Sequence, residues 1–257
     1  MENYNWIDQR LHLLCQTIAK VNRSLVPKQE DDSHTNLFFD PLGARILGRW
    51  FDSNNHHFAL CLNLESLSFT LLNAKYESVF EQVANGLTTA EIEKALSEKL
   101  TQVGIEADQL FTPLPFDIPP YDFINATIES LPTEYLKDWI HFRTLANIAG
   151  NNLLGHIQMP GEVRIWPHHF DTGFYVTLPQ GMGVGFGLAI EDELVGAPYF
   201  YVAAYPKEGS IKYSLLPEIE IGNWMNTKSW KGAVLSLEDI IELDLTNQAT
   251  KVSQFTL

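Results

Sequence analysis

The 257 residues are 45% hydrophobic and 19% charged, ordinary proportions for a globular protein that can bury a sizeable core without staples. With 17 Lys+Arg against 32 Asp+Glu the formal net charge is −15, and no Lys/Arg cluster forms a local basic groove, so a nucleic-acid partner is not expected. Cys15 and Cys61 are the only cysteines and no CxxC occurs, which excludes a disulfide framework and fits a reducing, cytoplasmic setting.

MENYNWIDQR carries neither a basic n-region nor an apolar h-region, so no secretion signal is expected. No apolar run approaches the roughly 18 residues of a membrane helix. NWIDQRLHLLCQTIAKVNRSL reads as a helix, because Ile7, Leu11, Leu14, Ile18 and Val21 form one apolar stripe at three- and four-residue spacing. KQEDDSH breaks the pattern. Four short strands are then predicted, in TNLFFD, ARILGRWF, HFALCLNLE and LSFTLLN. A helix follows from about Thr89 to Val103, opened by a Thr88/Glu91 capping box and closed by Gly104. TPLPFDIPPYD, rich in proline, is the candidate boundary or linker.

A second long helix is predicted from Thr133, then strands in VRIWPHHFDTGFYVTL, GVGFGLAIE and PYFYVAAY. IKYSLLPEI is a weaker strand candidate, and a terminal helix is capped by Ser236. The expected fold class is α+β, with antiparallel sheet backed by helices. The domain expectation is one unit over 1–257, with candidate sub-units 1–112 and 120–257. Each half reads as helix, strands, helix, although no residue-level repeat supports a duplication.

The three later strands separate alike into two faces. Read as one continuous strand, VRIWPHHFDTGFYV puts Trp166, His168, Phe170, Phe174 and Val176 on an apolar face. Pro167, His169, Asp171, Gly173 and Tyr175 take the other. The next strand sets Val184, Phe186 and Leu188 against Gly183, Gly185, Gly187 and Glu191. The third sets Phe200 and Val202 against Tyr199, Tyr201 and Tyr205. Matching apolar to apolar pairs odd residues with odd ones, as a three- or five-residue turn around Pro179-Gln180-Gly181 allows. His169 and Asp171 would then lie beside Glu191, over a glycine floor walled by tyrosines where a ligand could approach the backbone.

His168 is expected in the core, with its ring nitrogens hydrogen-bonded. His168 and His169 face opposite ways unless a bulge at Pro167 brings them together. His169, Asp171 and Glu191 are the candidate metal ligands, since an imidazole with two carboxylates suits a divalent transition metal. His169 and Asp171 also suit acid–base catalysis, with the carboxylate orienting the imidazole. A cross-strand charge pair on a solvated sheet is the plain alternative. Gly183, Gly185, Gly187, Tyr199 and Tyr201 are candidate ligand-binding residues, as is Arg143 in the long helix, for which a structural pairing is the better reading. GMGVGFG alternates like a strand and matches no phosphate loop. His56 and His57 read as turn or surface residues, and no GxSxG or HExxH is present.

LHLLCQTIAKVNRSLVP, FRTLANIAG, VRIWPHHFD and PYFYVAAYP together resemble a family of uncharacterised bacterial proteins. Its members carry an LHxxxQ…K opening helix, a WPHHFD or WGxFD strand and a YxYxxYP-like strand. The resemblance spans about residues 10 to 206 in one order and implies a shared, integrated fold without an assigned activity. It draws attention to Gln16, Lys20 and Arg143, and it favours Asp171 over the histidines, which WGxFD members lack. Three functions stay open. The first is small-molecule binding on the Gly/Tyr/His face of residues 163 to 205. The second is an enzyme, metal-dependent or not, using His169, Asp171 and Glu191. The third is a protein-interaction module, including a homodimer, whose tyrosine-rich face is the contact.

Overall fold

The computed structural model describes residues 1–107 and 110–257. In chain order the elements run helix, strands, helix, twice over. The first series is α1 (Glu2–Leu25), β1 (Phe38–Asp40), β2 (Arg45–Leu47), β3 (Phe51–Ser53), β4 (His56–Asn63), β5 (Ser68–Asn73), β6 (Ser78–Val83) and α2 (Thr89–Gln102). The second is α3 (Thr133–His156), β7 (Arg164–Ile165), β8 (Thr172–Thr177), β9 (Met182–Ala189), β10 (Tyr199–Pro206), β11 (Asn223–Asn226), β12 (Lys231–Ser236) and α4 (Leu245–Thr256). The described strands make two antiparallel six-stranded sheets. One is ordered β1-β2-β4-β5-β6 with β3 also on β4, the other β11-β12-β10-β9-β8-β7. The class is α+β. Among the described residues no helix is long and apolar enough to cross a membrane.

The chain divides into two compact units. The N-terminal unit comprises Trp6–Ile140 and Ile165–Phe170, and the C-terminal unit comprises Met1–Asn5, His141–Arg164 and Asp171–Leu257. The proline-rich stretch lies inside the first. A six-residue piece of the second half, Ile165–Phe170, therefore belongs to the N-terminal unit. It is stitched there by an antiparallel bridge, with Leu37 and Ile165 exchanging N–H···O bonds of 2.9 and 2.8 Å.

In the N-terminal unit the α1 stripe of Ile7, Leu11, Leu14, Ile18 and Val21 is wholly buried. At about 1.5–3 kcal/mol per buried aliphatic side chain, that stripe is a major source of the unit's stability. Gly48 lets the chain pass close to α1, because a Cβ there would sit 2.8 Å from Ile18 and 2.6 Å from Asn22. On β4, Cys61 packs with Leu47 and Leu72 under Phe38 and Trp50. The capping box of α2 is formed as the sequence predicts. The Glu91 amide donates to the Thr88 hydroxyl at 3.3 Å and the Glu91 carboxylate accepts from the Thr88 amide at 2.8 Å. Gly104 takes the left-handed conformation that ends the helix, with φ 82°.

Some expectations need correction. VRIWPHHFDTGFYV is not one strand: β7 ends at Ile165, residues 167 to 169 turn, and β8 begins at Thr172. Pro167 has no N–H for a ladder, and Phe170 adopts φ 56° while its amide donates to the Trp166 carbonyl at 2.6 Å. β6, β11 and β12 are strands that the sequence reading does not anticipate, and Tyr213–Leu215 in the weak strand candidate forms a 3-10 turn. Ser236 caps only a short turn at Leu237–Asp239; the terminal helix starts later, where the Asp244 carboxylate accepts from the Asn247 amide at 3.0 Å.

Candidate functional site

The WPHHFD turn is held by α1. The Pro167 carbonyl accepts from Gln16 Nε2 at 2.8 Å and bonds His12 Nε2 at 3.0 Å. A carbonyl can only accept, so His12 carries its proton on Nε2 and its Nδ1 faces the Tyr121 hydroxyl at 2.7 Å. In that neutral tautomer Nδ1 accepts from the Tyr121 hydroxyl, and burial, with the Asp8 carboxylate adding to it, raises the Tyr121 pKa and keeps the phenol protonated. The His12 ring stacks on Phe170 at 5.0 Å, and Phe170 packs on Trp139. This packing holds a non-glycine residue at positive φ. The clasp sends Trp166 and His168 outward, half-buried, and leaves His169 exposed. His168 is thus not the core residue that strand alternation implies.

On the C-terminal sheet the expected odd-to-odd register is present. Gly173 pairs with Gly187 and Tyr175 with Gly185, while Tyr201 pairs with Gly187 and Tyr205 with Gly183. The connecting loop is Pro179-Gln180-Gly181, closed by a 2.8 Å bond from the Leu178 amide to the Met182 carbonyl. The even face buries Phe186, Leu188 and Phe200, with Gly150 of α3 admitting the Phe186 ring.

The glycine face is not an open floor. A Cβ on Gly187 would meet the Tyr201 ring and hydroxyl at 2.8 Å, and one on Gly183 would meet Tyr175. A Cβ on Gly232 of β12 would lie 2.5 Å from the Trp230 ring. The chain's own aromatic rings lie over Gly183, Gly187 and Gly232. Gly185 is less crowded, with Tyr205 at 3.4 Å. Lying across Gly187, Tyr201 donates its hydroxyl to Asp171 at 2.6 Å, and Tyr199 donates to Asp192 at 2.9 Å. Burial first, then the facing carboxylates, push both phenols well above their ordinary pKa.

The remaining candidates have structural partners. Arg143 is fully buried and donates to the Thr172 hydroxyl at 2.8 Å and the Leu188 carbonyl at 3.3 Å, which fastens α3 to β8 and β9. Glu191 lies beyond the end of β9, exposed, and accepts from the Asn5 side-chain amide. Among the described residues no group of three or more His, Cys, Asp or Glu side chains is placed to hold a metal ion. That corrects the expected metal triad of His169, Asp171 and Glu191: the turn at residues 167 to 169 breaks the strand that was to carry His169 and Asp171 in register with Glu191.

Among the described residues, one concavity in each unit is lined by aromatic rings together with charged side chains. In the C-terminal unit a cleft of about 360 Å³ opens on the tyrosine face between Tyr205, Tyr213 and Trp230, with Lys228 and Lys231 at its side. The Lys231 ammonium lies 5.9 Å from the Tyr213 ring centre. In the N-terminal unit a more enclosed cleft of about 420 Å³ lies between Trp166, His168 and Phe116, with Asn36 and Thr35 among its lining residues. Alternation places Tyr205 on the right face. Tyr213, Trp230, the two lysines, Asn36 and Phe116 escape sequence reasoning, because each sits in a loop or short strand without periodicity. Comparison with protein-family models, with curated proteins and with solved structures finds no match.

Proposed function

We propose that the protein binds a small anionic molecule carrying a flat ring, in the cleft of the C-terminal unit formed by Tyr205, Tyr213, Trp230, Lys228 and Lys231. The observation that carries this reading is the charge of the cleft against that of the chain. Acidic residues outnumber basic ones 32 to 17, yet neither lysine here makes an ion pair with any described residue. Two uncompensated ammonium groups beside three aromatic rings supply both halves of such recognition. The rings stack on a planar group, and the lysines meet a carboxylate, sulfonate or phosphate as point charges.

The reading keeps the ligand on the tyrosine face of the C-terminal sheet but moves it away from the glycines. It gives His169, Asp171 and Glu191 no part in binding. Calorimetric titration with aromatic carboxylates tests it, using neutral amides of the same rings as controls. Acids are expected to bind and amides not, with affinity falling as salt is raised. A Lys228→Gln/Lys231→Gln double variant should lose roughly tenfold or more, as two charge-assisted contacts of about 1 kcal/mol or more each would imply. Equal binding of acid and amide, or an unaffected double variant, rules the reading out.

A further inference from the structure

The cleft of the N-terminal unit differs in chemistry and is independent of the reading above. Its walls are rings set at steep angles. The His168 ring centre lies 5.5 Å from that of Phe116 with the planes 56° apart, and 6.2 Å from that of Trp166 with the planes at 90°. Walls so arranged form a corner, whereas a flat ligand asks for parallel faces on which to stack. All three residues are half-buried, so their rings are partly withdrawn from water around a cleft of about 420 Å³. The carboxylates of Asp31 and Asp32 line the same cleft and are exposed. Asp31 is held ionised because Ser33 hydrogen-bonds to its carboxylate, with a 3.1 Å bond from the Ser33 amide. Arg23, also lining the cleft, donates Nη1 to the Pro113 carbonyl at 2.7 Å. Arg49, outside the lining, attracts Asp31 and donates Nε to the Ser33 carbonyl at 3.1 Å. Among the described lining residues the two acids thus outnumber the one arginine.

We infer that this cleft is a binding site for a small quaternary ammonium compound, a trimethylammonium cation of the choline type. The negative π-faces of aromatic rings attract a cation, Trp most strongly, and a corner of rings meets a rounded trimethylammonium group on more than one side. Such a cation has no N–H, so it asks no hydrogen-bond acceptor of the walls. Its charge is met at longer range by the Asp31 and Asp32 carboxylates. A primary ammonium would instead give up hydration at three N–H groups against the rings. The net charge of −15 on the whole chain draws cations toward it. The cleft of the C-terminal unit, where Lys228 and Lys231 stand beside the rings, repels the same ligand.

The test is calorimetric titration of the full chain near pH 8, where ordinary imidazoles are uncharged. The probes are choline, ethanolamine and the uncharged tert-butyl analogue of choline. Choline is expected to bind saturably, and each of the other two at least about fivefold more weakly, one lacking the methyl groups and the other the charge. Phe116→Leu, at a half-buried loop position, removes a ring and should weaken choline about fivefold or more. The double variant Asp31→Asn/Asp32→Asn should weaken it about threefold or more. Asparagine keeps the acceptor for the Ser33 amide and tolerates the left-handed backbone of Asp32, φ 57°, so this variant decides the matter if Phe116→Leu does not fold. Full choline affinity in either folded variant overturns the proposal. Failure of choline to bind at millimolar concentration also overturns it, as does either analogue binding as tightly as choline. Trp230→Leu, in the other cleft, should leave choline binding intact, so this proposal and the anion-binding one fail separately.

Discussion

Tyr201 and Asp171 form the tightest polar pair on the tyrosine face, and it has a measurable consequence at alkaline pH. In the fold the phenols of Tyr199 and Tyr201 are kept protonated by burial and by the neighbouring carboxylates, so their folded pKa values lie above the unfolded value near 10. A raised folded pKa means that the native state holds protons the unfolded chain releases. The stability gained this way is complete below pH 10 and is lost as pH rises above that value through the folded pKa values. Urea midpoints should therefore fall steeply above pH 10. Tyr201→Phe should show a lower midpoint at pH 8, by about 1–3 kcal/mol for the carboxylate it leaves short of a donor, and a shallower alkaline decline. An unchanged slope in that variant would place the alkaline loss elsewhere. Cys61 offers a second check at the same scale. Burial pushes its thiol up to about 11, and Cys15 is fully enclosed. Neither should react with a thiol reagent at pH 8 until the protein is unfolded; labelling of native protein on the timescale of mixing would contradict the packing of β4.

At the scale of elements, the glycines of β8 and β9 serve close approach more than flexibility, and alanine scanning should rank them by what each Cβ would meet. At Gly173 it would run into the Phe186 carbonyl oxygen and lie 2.6 Å from Gly187 Cα, both backbone atoms that cannot rotate away. At Gly187 it would meet the Tyr201 ring, which can swing at the cost of its bond to Asp171. At Gly185 its nearest neighbour is Tyr205 at 3.4 Å, an ordinary contact within reach of small adjustment. Gly173→Ala should be the most damaging, of order 3 kcal/mol or more. Gly187→Ala should cost about 1–3 kcal/mol, and Gly185→Ala within about 1. Thermal unfolding of the three variants checks the order, and a tolerant Gly173→Ala would mean the two strands are further apart than described. The turn of residues 167 to 169 shows why alternation misreads this region. Periodicity assigns faces only while the ladder continues, and Pro167 removes a ladder donor just where its own carbonyl is taken by His12 and Gln16. Both residues are legible in the opening helix, but nothing in the spacing of α1 states that they meet a segment some 150 residues later.

For the whole molecule, the acidic surface predicts no binding to duplex DNA at physiological salt, measured by mobility shift; retention there would require a basic patch that the sequence lacks. The amino-acid order alone settles what local rules decide. The α1 stripe, the α2 capping box with Gly104, the odd-to-odd hairpin and the two faces of β9 and β10 all follow from periods, caps and turn residues acting over a few positions. β6 and β11 escape because they are largely exposed, so neither strand carries a continuous apolar face. Packing in three dimensions assigns the rest: which glycines are covered by which rings, and which unit receives Ile165–Phe170. It also brings Asn36, Phe116 and Trp166 to one cleft and Tyr205, Tyr213 and Trp230 to another. Those outcomes depend on side chains brought together from distant segments, where the free energy lies in contacts between residues that share no period.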